Sequence, residues 1–149
     1  MQLAQRTDYA LRTLVFLALQ SNRLSTLNEI AEKFHITREH LIKIVGKLSK
    51  LDYVTTARGK GGGIKINSST LDITLYEIIA QFEPTLNIID CLHLECPIQG
   101  LCRLKSILDE ATQAFAKILQ SYTLTHILPK TEKEQISLYS KLNLLIGAQ

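Results

Sequence analysis

Residues 26–51 constrain the fold of this chain more tightly than any other stretch. Thr26-Leu27-Asn28-Glu29 has the form of a capping box, and Leu27, Ile30, Ala31 and Phe34 give one apolar face to a short helix. His35-Ile36-Thr37 leaves room only for a tight connection. Thr37 is placed to cap the next helix, whose apolar residues Leu41, Ile44, Val45, Leu48 and Leu51 follow helical spacing. Two short amphipathic helices joined by about three residues form a helix-turn-helix pattern. His35 reads as a turn or packing residue.

The flanks fit that nucleus. Residues 8–20 carry Leu11, Leu14, Val15, Leu17, Ala18 and Leu19, too apolar all round for a surface helix, and Asn22 and Arg23 close the segment. Tyr53-Val54-Thr55-Thr56 and Ile64-Lys65-Ile66-Asn67 read as paired strands. Between them, Arg58-Gly59-Lys60-Gly61-Gly62-Gly63 makes a tip of glycine and cation, the composition of a wing. Thr74-Leu75-Tyr76-Glu77 opens a further helix that ends before Pro84. The expected fold is mainly α with a small β-hairpin: a winged helix-turn-helix DNA-binding domain over residues 1–84, plus a long dimerisation helix.

Residues 85–100 break regular structure. From Leu101 onward a heptad seam runs through Leu104, Leu108, Ala111, Phe115, Ile118 and Tyr122 at alternating spacings of 3 and 4. Three heptads signal a homodimer, although an intramolecular helix pair reads the same way. Pro129 ends this region, and Thr131-Glu132-Lys133-Glu134 caps a last segment with Ile136, Leu138, Leu142, Leu144 and Leu145. The expected division is therefore a cysteine-bearing loop over residues 85–102 and a dimerisation helix with a C-terminal segment over 103–149.

The charge distribution separates the two halves. Residues 1–70 carry eleven basic against five acidic side chains, whereas the remainder carries six against nine. A basic front half points to a polyanion as partner, here double-stranded DNA. On the third helix, Arg38, Glu39, His40, Lys43, Lys47 and Lys50 fall off the apolar face. Arg38 suits a bidentate contact to guanine, and Glu39 suits cytosine N4. Thr37 and His40 reach base or backbone, and the lysines reach phosphates. In the wing, Arg58, Gly59 and Lys60 suit a narrow, AT-rich minor groove. A glycine loop or a lysine stripe alone is only a turn or a wet helix face; their combination with the helix-turn-helix carries the reading.

No run of 18 uncharged apolar residues is present, and Met1 to Arg6 lack a secretory leader's basic start, so the expected location is the cytoplasm. No Ser/His/Asp set, paired catalytic carboxylates or phosphate loop ahead of a helix appears, and residues 59–63 lie between strands; an enzyme is not expected.

All three cysteines fall within 12 residues, Cys91-x4-Cys96-x5-Cys102. A zinc site would show a tighter Cys-x2-Cys knuckle or a Cys/His set. Soft thiolates at longer spacing suit a polynuclear iron–sulfur centre with one corner open; three reduced, free thiols in a loop are the alternative. His93 and Glu95 lie inside the loop, and His126 sits in a different segment, so the fourth ligand stays open. Asp8 by itself reads as a helix-start carboxylate favoured by the macrodipole.

Across residues 1–122 the chain resembles the winged-helix iron–sulfur transcriptional regulators that include IscR, and most closely the NsrR-type nitric-oxide-sensing repressors. The matching motifs are Thr7-Asp8-Tyr9-Ala10-Leu11-Arg12, Tyr53-Val54 with Arg58-Gly59-Lys60-Gly61-Gly62-Gly63, and Cys91, Cys96 and Cys102 followed by Arg103-Leu104-Lys105. The resemblance implies a homodimer with crossed long helices. It also implies a [4Fe–4S] cluster held by the three cysteines and by Asp8 from the partner subunit; Arg12, one helical turn after Asp8, is spaced to pair with it. IscR-like members carry a [2Fe–2S] cluster and a histidine where this chain has Lys105. The implied function is a repressor on an AT-rich inverted repeat, released when nitric oxide nitrosylates the iron. The alternatives are an iron-status or cluster-status regulator of the same fold, and a small electron-transfer iron–sulfur protein, which would lack steep salt-dependent duplex affinity.

Overall fold

The computed structural model of the chain describes residues 2–89, 91 and 96–142. His93 and Glu95 of the loop, and Leu144 and Leu145 of the last segment, lie outside the described residues. The elements run α1 (Gln5–Leu19), α2 (Leu27–Phe34), α3 (Arg38–Lys50), β1 (Val54–Ala57), β2 (Gly63–Ile66) and a 3-10 turn (Ser68–Asp72). They continue with α4 (Leu75–Phe82), α5 (Arg103–Gln120), a second 3-10 turn (Leu124–Ile127) and α6 (Glu132–Lys141).

α2 begins where the capping box places it. Thr26 Oγ1 accepts from the Glu29 N–H at 3.2 Å, and Glu29 accepts from the Thr26 N–H at 2.6 Å. It stops at His35, which takes a left-handed conformation (φ 53) and lets the Ile36 N–H reach the Ala31 carbonyl at 3.0 Å. Ile36 is buried in the turn, so three residues suffice to redirect the chain into α3. Thr37 occupies the N-cap position of α3 with extended backbone, but its side chain makes no capping bond. Leu41, Ile44, Val45 and Leu48 all turn inward. α1 is the central helix, packed on α2, α3, α4 and β2. Its fully buried Leu14 and Phe16 with Leu17 explain its all-round apolarity.

β1 and β2 pair antiparallel in the register Val54–Ile66 to Ala57–Gly63, which turns Val54, Ile64 and Ile66 into the core. Ser25 bridges to β2 in both directions with Ile64, at 2.9 and 2.7 Å, locking the hairpin to the loop that precedes α2. The tip demands glycine twice over. Gly59 has φ +94, and a Cβ on Gly62 would lie 2.3 Å from the Ala57 carbonyl oxygen. Gly62→Ala is expected to distort the wing and cost about 1–3 kcal/mol. Gly46→Ala, on an open helix face with no neighbour within 4 Å, should stabilise by about 0.5–1 kcal/mol. Paired thermal melts of the two variants, with amide exchange of β1 and β2, check both signs.

After α5 the chain returns to the core. Thr123 bridges to Thr74, and Leu124 is fully buried in the same cluster as α1. α6 opens on the expected capping box of Thr131 and Glu134. Its anchor is Tyr139, buried, with its hydroxyl donating to the Leu19 carbonyl at 2.7 Å; the apolar spacing singled out Leu138 and Leu142 instead. Among the described residues no helix is long and apolar enough to cross a membrane.

Two capping carboxylates give the fold an acid sensitivity. For Glu29, burial works against ionisation, but hydrogen bonds and charge from Thr26 and Arg23 outweigh it and hold the carboxyl below its ordinary value of 4.5. Bonds from Thr74 do the same for Glu77. A carboxyl with a lowered folded pKa contributes stability that is complete above pH 4.5 and is lost as pH falls through the folded value. The melting temperature should therefore drop in that acid range, and more gently in Glu29→Gln, which keeps an acceptor for the cap but does not titrate.

Candidate functional site

Thr37 at the N-cap of α3 and Arg38, Glu39, His40, Lys43 and Lys47 along it are exposed, as is Ile42, because Leu41, Ile44, Val45 and Leu48 take the inward face. Arg38, at the head of the helix, and Arg58 with Gly59, in the wing, border one groove of about 470 Å³ that also takes in Thr26, Leu27 and Asn28 at the start of α2. The fold thus brings the first turn of α3 and the wing to a common concave surface, while Lys60 stays exposed at the hairpin tip. His40 and Lys43, also exposed, do not line that groove. They border a larger cavity of about 500 Å³ between α1, α3 and the end of α4, shared with Arg6, Tyr9 and Phe82.

Lys47 belongs to this second surface. Its ammonium donates to the Gln81 carbonyl and stands 4.9 Å from the centre of the Phe82 ring. Nothing local in the sequence marks that contact, since the partners are 34 residues apart.

The three cysteines are free thiols, each half-buried, and all three line one cavity of about 220 Å³ at the foot of α5. Gln99, Gly100, Lys105, Ser106 and Asp109 complete it. Lys105 is bonded to Asp109 one turn on. That bond, with smaller contributions from Asp109's charge and from Cys91 and Cys102, raises the lysine above its ordinary value and keeps a cation beside the thiols. In the sequence Lys105 stands out as a departure from the histidine-bearing pattern, whereas Asp109 is marked only by its i,i+4 spacing from Lys105.

Asp8 lies in the first turn of α1, and Arg12 Nε donates to its Oδ1 at 2.9 Å, as the one-turn spacing implied. Asp8 is outside the cavity lined by its own protomer's cysteines. α5 contains no buried residue at all. Leu101 is 88% exposed, and Leu104, Ile107 and Ile118 are 57–60% exposed, while Leu108 and Phe115 are half-buried. The seam is therefore an uncovered apolar stripe, widened by Ile107.

The family model described as Rrf2, iron-dependent transcriptional regulator, matches residues 3–130. The chain belongs to the Rrf2 family. It is 38% identical over 136 residues to the HTH-type transcriptional regulator NsrR of Bacillus subtilis (strain 168), covering 89% of this chain and 93% of that protein. Two solved structures share the fold: CymR, the global cysteine regulator of B. subtilis (TM-score 0.71, 22% identity, 89% of this chain and 99% of that one), and T. potens IscR (TM-score 0.65, 19% identity, 99% and 94%). The expected mostly helical winged-helix architecture and the resemblance to the regulators that include IscR and NsrR are both borne out.

An iron–sulfur group fits the donor set of this Rrf2 regulator. Among the described residues no three Cys, His, Asp or Glu side chains converge as ligands of a single ion. Three thiols lining one cavity are donors of the type that could each bind a different iron of a cluster.

Proposed function

We propose that this Rrf2 regulator is a homodimeric, non-enzymatic repressor that binds an AT-rich inverted repeat in double-stranded DNA and responds to nitric oxide through a [4Fe–4S] cluster. The observation that carries the reading is the cysteine cavity: three half-buried free thiols facing one space, directly before a helix with an uncovered apolar stripe. Cys91, Cys96 and Cys102 would hold the cluster, and Asp8 of the partner subunit would supply the fourth ligand. When bound, such a cluster would supply iron able to react with nitric oxide, and Asp8 would be its hardest and most labile ligand.

The chain's own residues then do the rest. Arg12 fixes the direction of the Asp8 carboxylate. The stripe on α5 buries itself against a second copy and sets the separation of two α3 helices. Thr37, Arg38, Glu39, His40 and Lys43 meet the major groove and its phosphates, and Arg58, Gly59 and Lys60 enter the minor groove. Lys47 holds α3 at its angle to α4 and presents its charge near the backbone. Residues 1–84 form the reading domain, 85–102 the cluster segment, and 103–149 the dimer helix and C-terminal segment, within the cytoplasm.

A titration of nitric oxide into anaerobic, cluster-loaded protein on its operator tests the reading: release of the duplex is expected, and unchanged binding refutes it. The family description as iron-dependent favours one rival, a regulator responding to iron or cluster status. A promoter reporter under iron limitation without nitric oxide separates the two.

A further inference from the structure

The end of α4 is where α1, α3 and the cysteine segment meet. α1 starts at Ala4, which has no side-chain cap to offer its first-turn N–H groups. A carboxylate from the end of α4 secures this helix start in another way: Glu83 Oε1 accepts from the N–H of the N-cap residue Ala4 at 2.7 Å and from the hydroxyl of the fully buried Thr7. Thr7 is the neighbour of Asp8. In the opposite direction, two cations satisfy the last carbonyls of α4. Arg6 Nε donates to Phe82 O at 2.7 Å, and Lys47 of α3 donates to Gln81 O. The outer face of α3 also touches α1, with the His40 and Tyr9 ring centres 6.4 Å apart.

Glu83 is at the same time the last residue before Pro84, and its backbone is extended (ψ 139), the conformation a following proline enforces. The chain therefore leaves α4 extended, and Cys91 follows seven residues after Pro84. Glu83 is bonded to the turn of α1 that carries Asp8, and the nearby Gln81 carbonyl is bonded to Lys47 of the recognition helix.

We propose that Glu83 is a positioning residue that couples the cysteine segment to the DNA-reading face: its carboxylate ties the start of that segment to the first turn of α1, while the adjoining carbonyls hold α3 through Lys47. This rests on the reading of Cys91, Cys96 and Cys102 as cluster ligands. It adds the route by which the state of the cysteine cavity reaches α3 within one protomer.

The test uses full-length protein, anaerobically reconstituted or cluster-free, and a duplex selected from random sequence by the loaded wild type. Loaded wild type should bind more tightly than cluster-free wild type by about 5–150-fold, the usual span of coupling between sites. Glu83→Ala should load with an unaltered visible spectrum yet bring that ratio to within about twofold, and Glu83→Gln, which keeps the acceptor oxygen, should restore it. Amide exchange gives a second readout: loading should change protection across residues 4–8 and 38–47 in the wild type and in Glu83→Gln, but not in Glu83→Ala. If Glu83→Ala weakens both states equally and keeps the wild-type ratio, Glu83 is merely structural and the proposal is overturned. If it fails to fold or load, Arg6→Gln, at an exposed position that cuts only the Phe82 link, decides by the same ratio. Equal affinity of loaded and cluster-free wild type sinks the sensor reading itself, whereas an intact ratio in the variants sinks only the coupling route.

Discussion

Cys96→Ala will yield a folded protein with near-background iron and sulfide and no visible charge-transfer absorption. Its operator affinity will match that of the cluster-free wild type, about 5–150-fold below the loaded form. The thiol can be removed without harm to the fold because it contributes nothing to the core: it is free, half-buried and confined to the cysteine cavity. Its backbone carbonyl, which accepts from the Gln99 N–H at 3.0 Å, survives the substitution. The thermal stability of apo protein should accordingly change by less than about 0.5 kcal/mol. Full iron content in the variant would remove Cys96 from the ligand set and with it the three-thiolate reading.

The second large effect belongs to α5. Leu104→Glu combined with Ile118→Glu is expected to turn a dimer into a folded monomer and to lower operator affinity by roughly 10³-fold or more, toward the non-specific level. Both side chains are more than half exposed in the isolated chain, so the substitutions do not disturb the protomer's own core. In a dimer each would bury a leucine- or isoleucine-sized side chain worth about 1.5–3 kcal/mol, on both copies, and a charge there opposes association. Sedimentation at concentrations spanning the operator assay, with circular dichroism as a folding control, reads out the result. A variant that stays dimeric would move the interface elsewhere and return the heptad seam to its other reading, an intramolecular packing face.

Much of the site follows from local chemistry. The two helix-turn-helix helices, the glycine-tipped hairpin and the capping boxes of α2, α4 and α6 lie where the spacing of apolar and capping residues places them. The helices and caps are decided by neighbours within four residues along the chain, and the hairpin by a pairing that spans only 12. The Asp8–Arg12 pair is legible for the same reason. Thr37 shows the limit: a capping residue type in the capping position, with extended backbone, that nonetheless makes no capping bond. Residue type proposes a cap, but the rotamer that completes it depends on what surrounds the hydroxyl.

By itself, then, the sequence determined everything whose cause is periodicity or a short-range hydrogen bond: which segments are helix or strand, which faces are apolar, and that three soft ligands sit together before a heptad helix. Tertiary structure alone decided what Glu83, Arg6, Lys47, Tyr139 and Leu124 do. Glu83 binds the N-cap residue of α1, 79 positions before it, Tyr139 reaches back to Leu19, and Lys47 turns to α4. Such pairs leave no pattern along the chain. Their energy comes from satisfying backbone groups that the helix ends leave open, and only the packing of helices brings a carboxylate, a phenol or an ammonium to those particular ends.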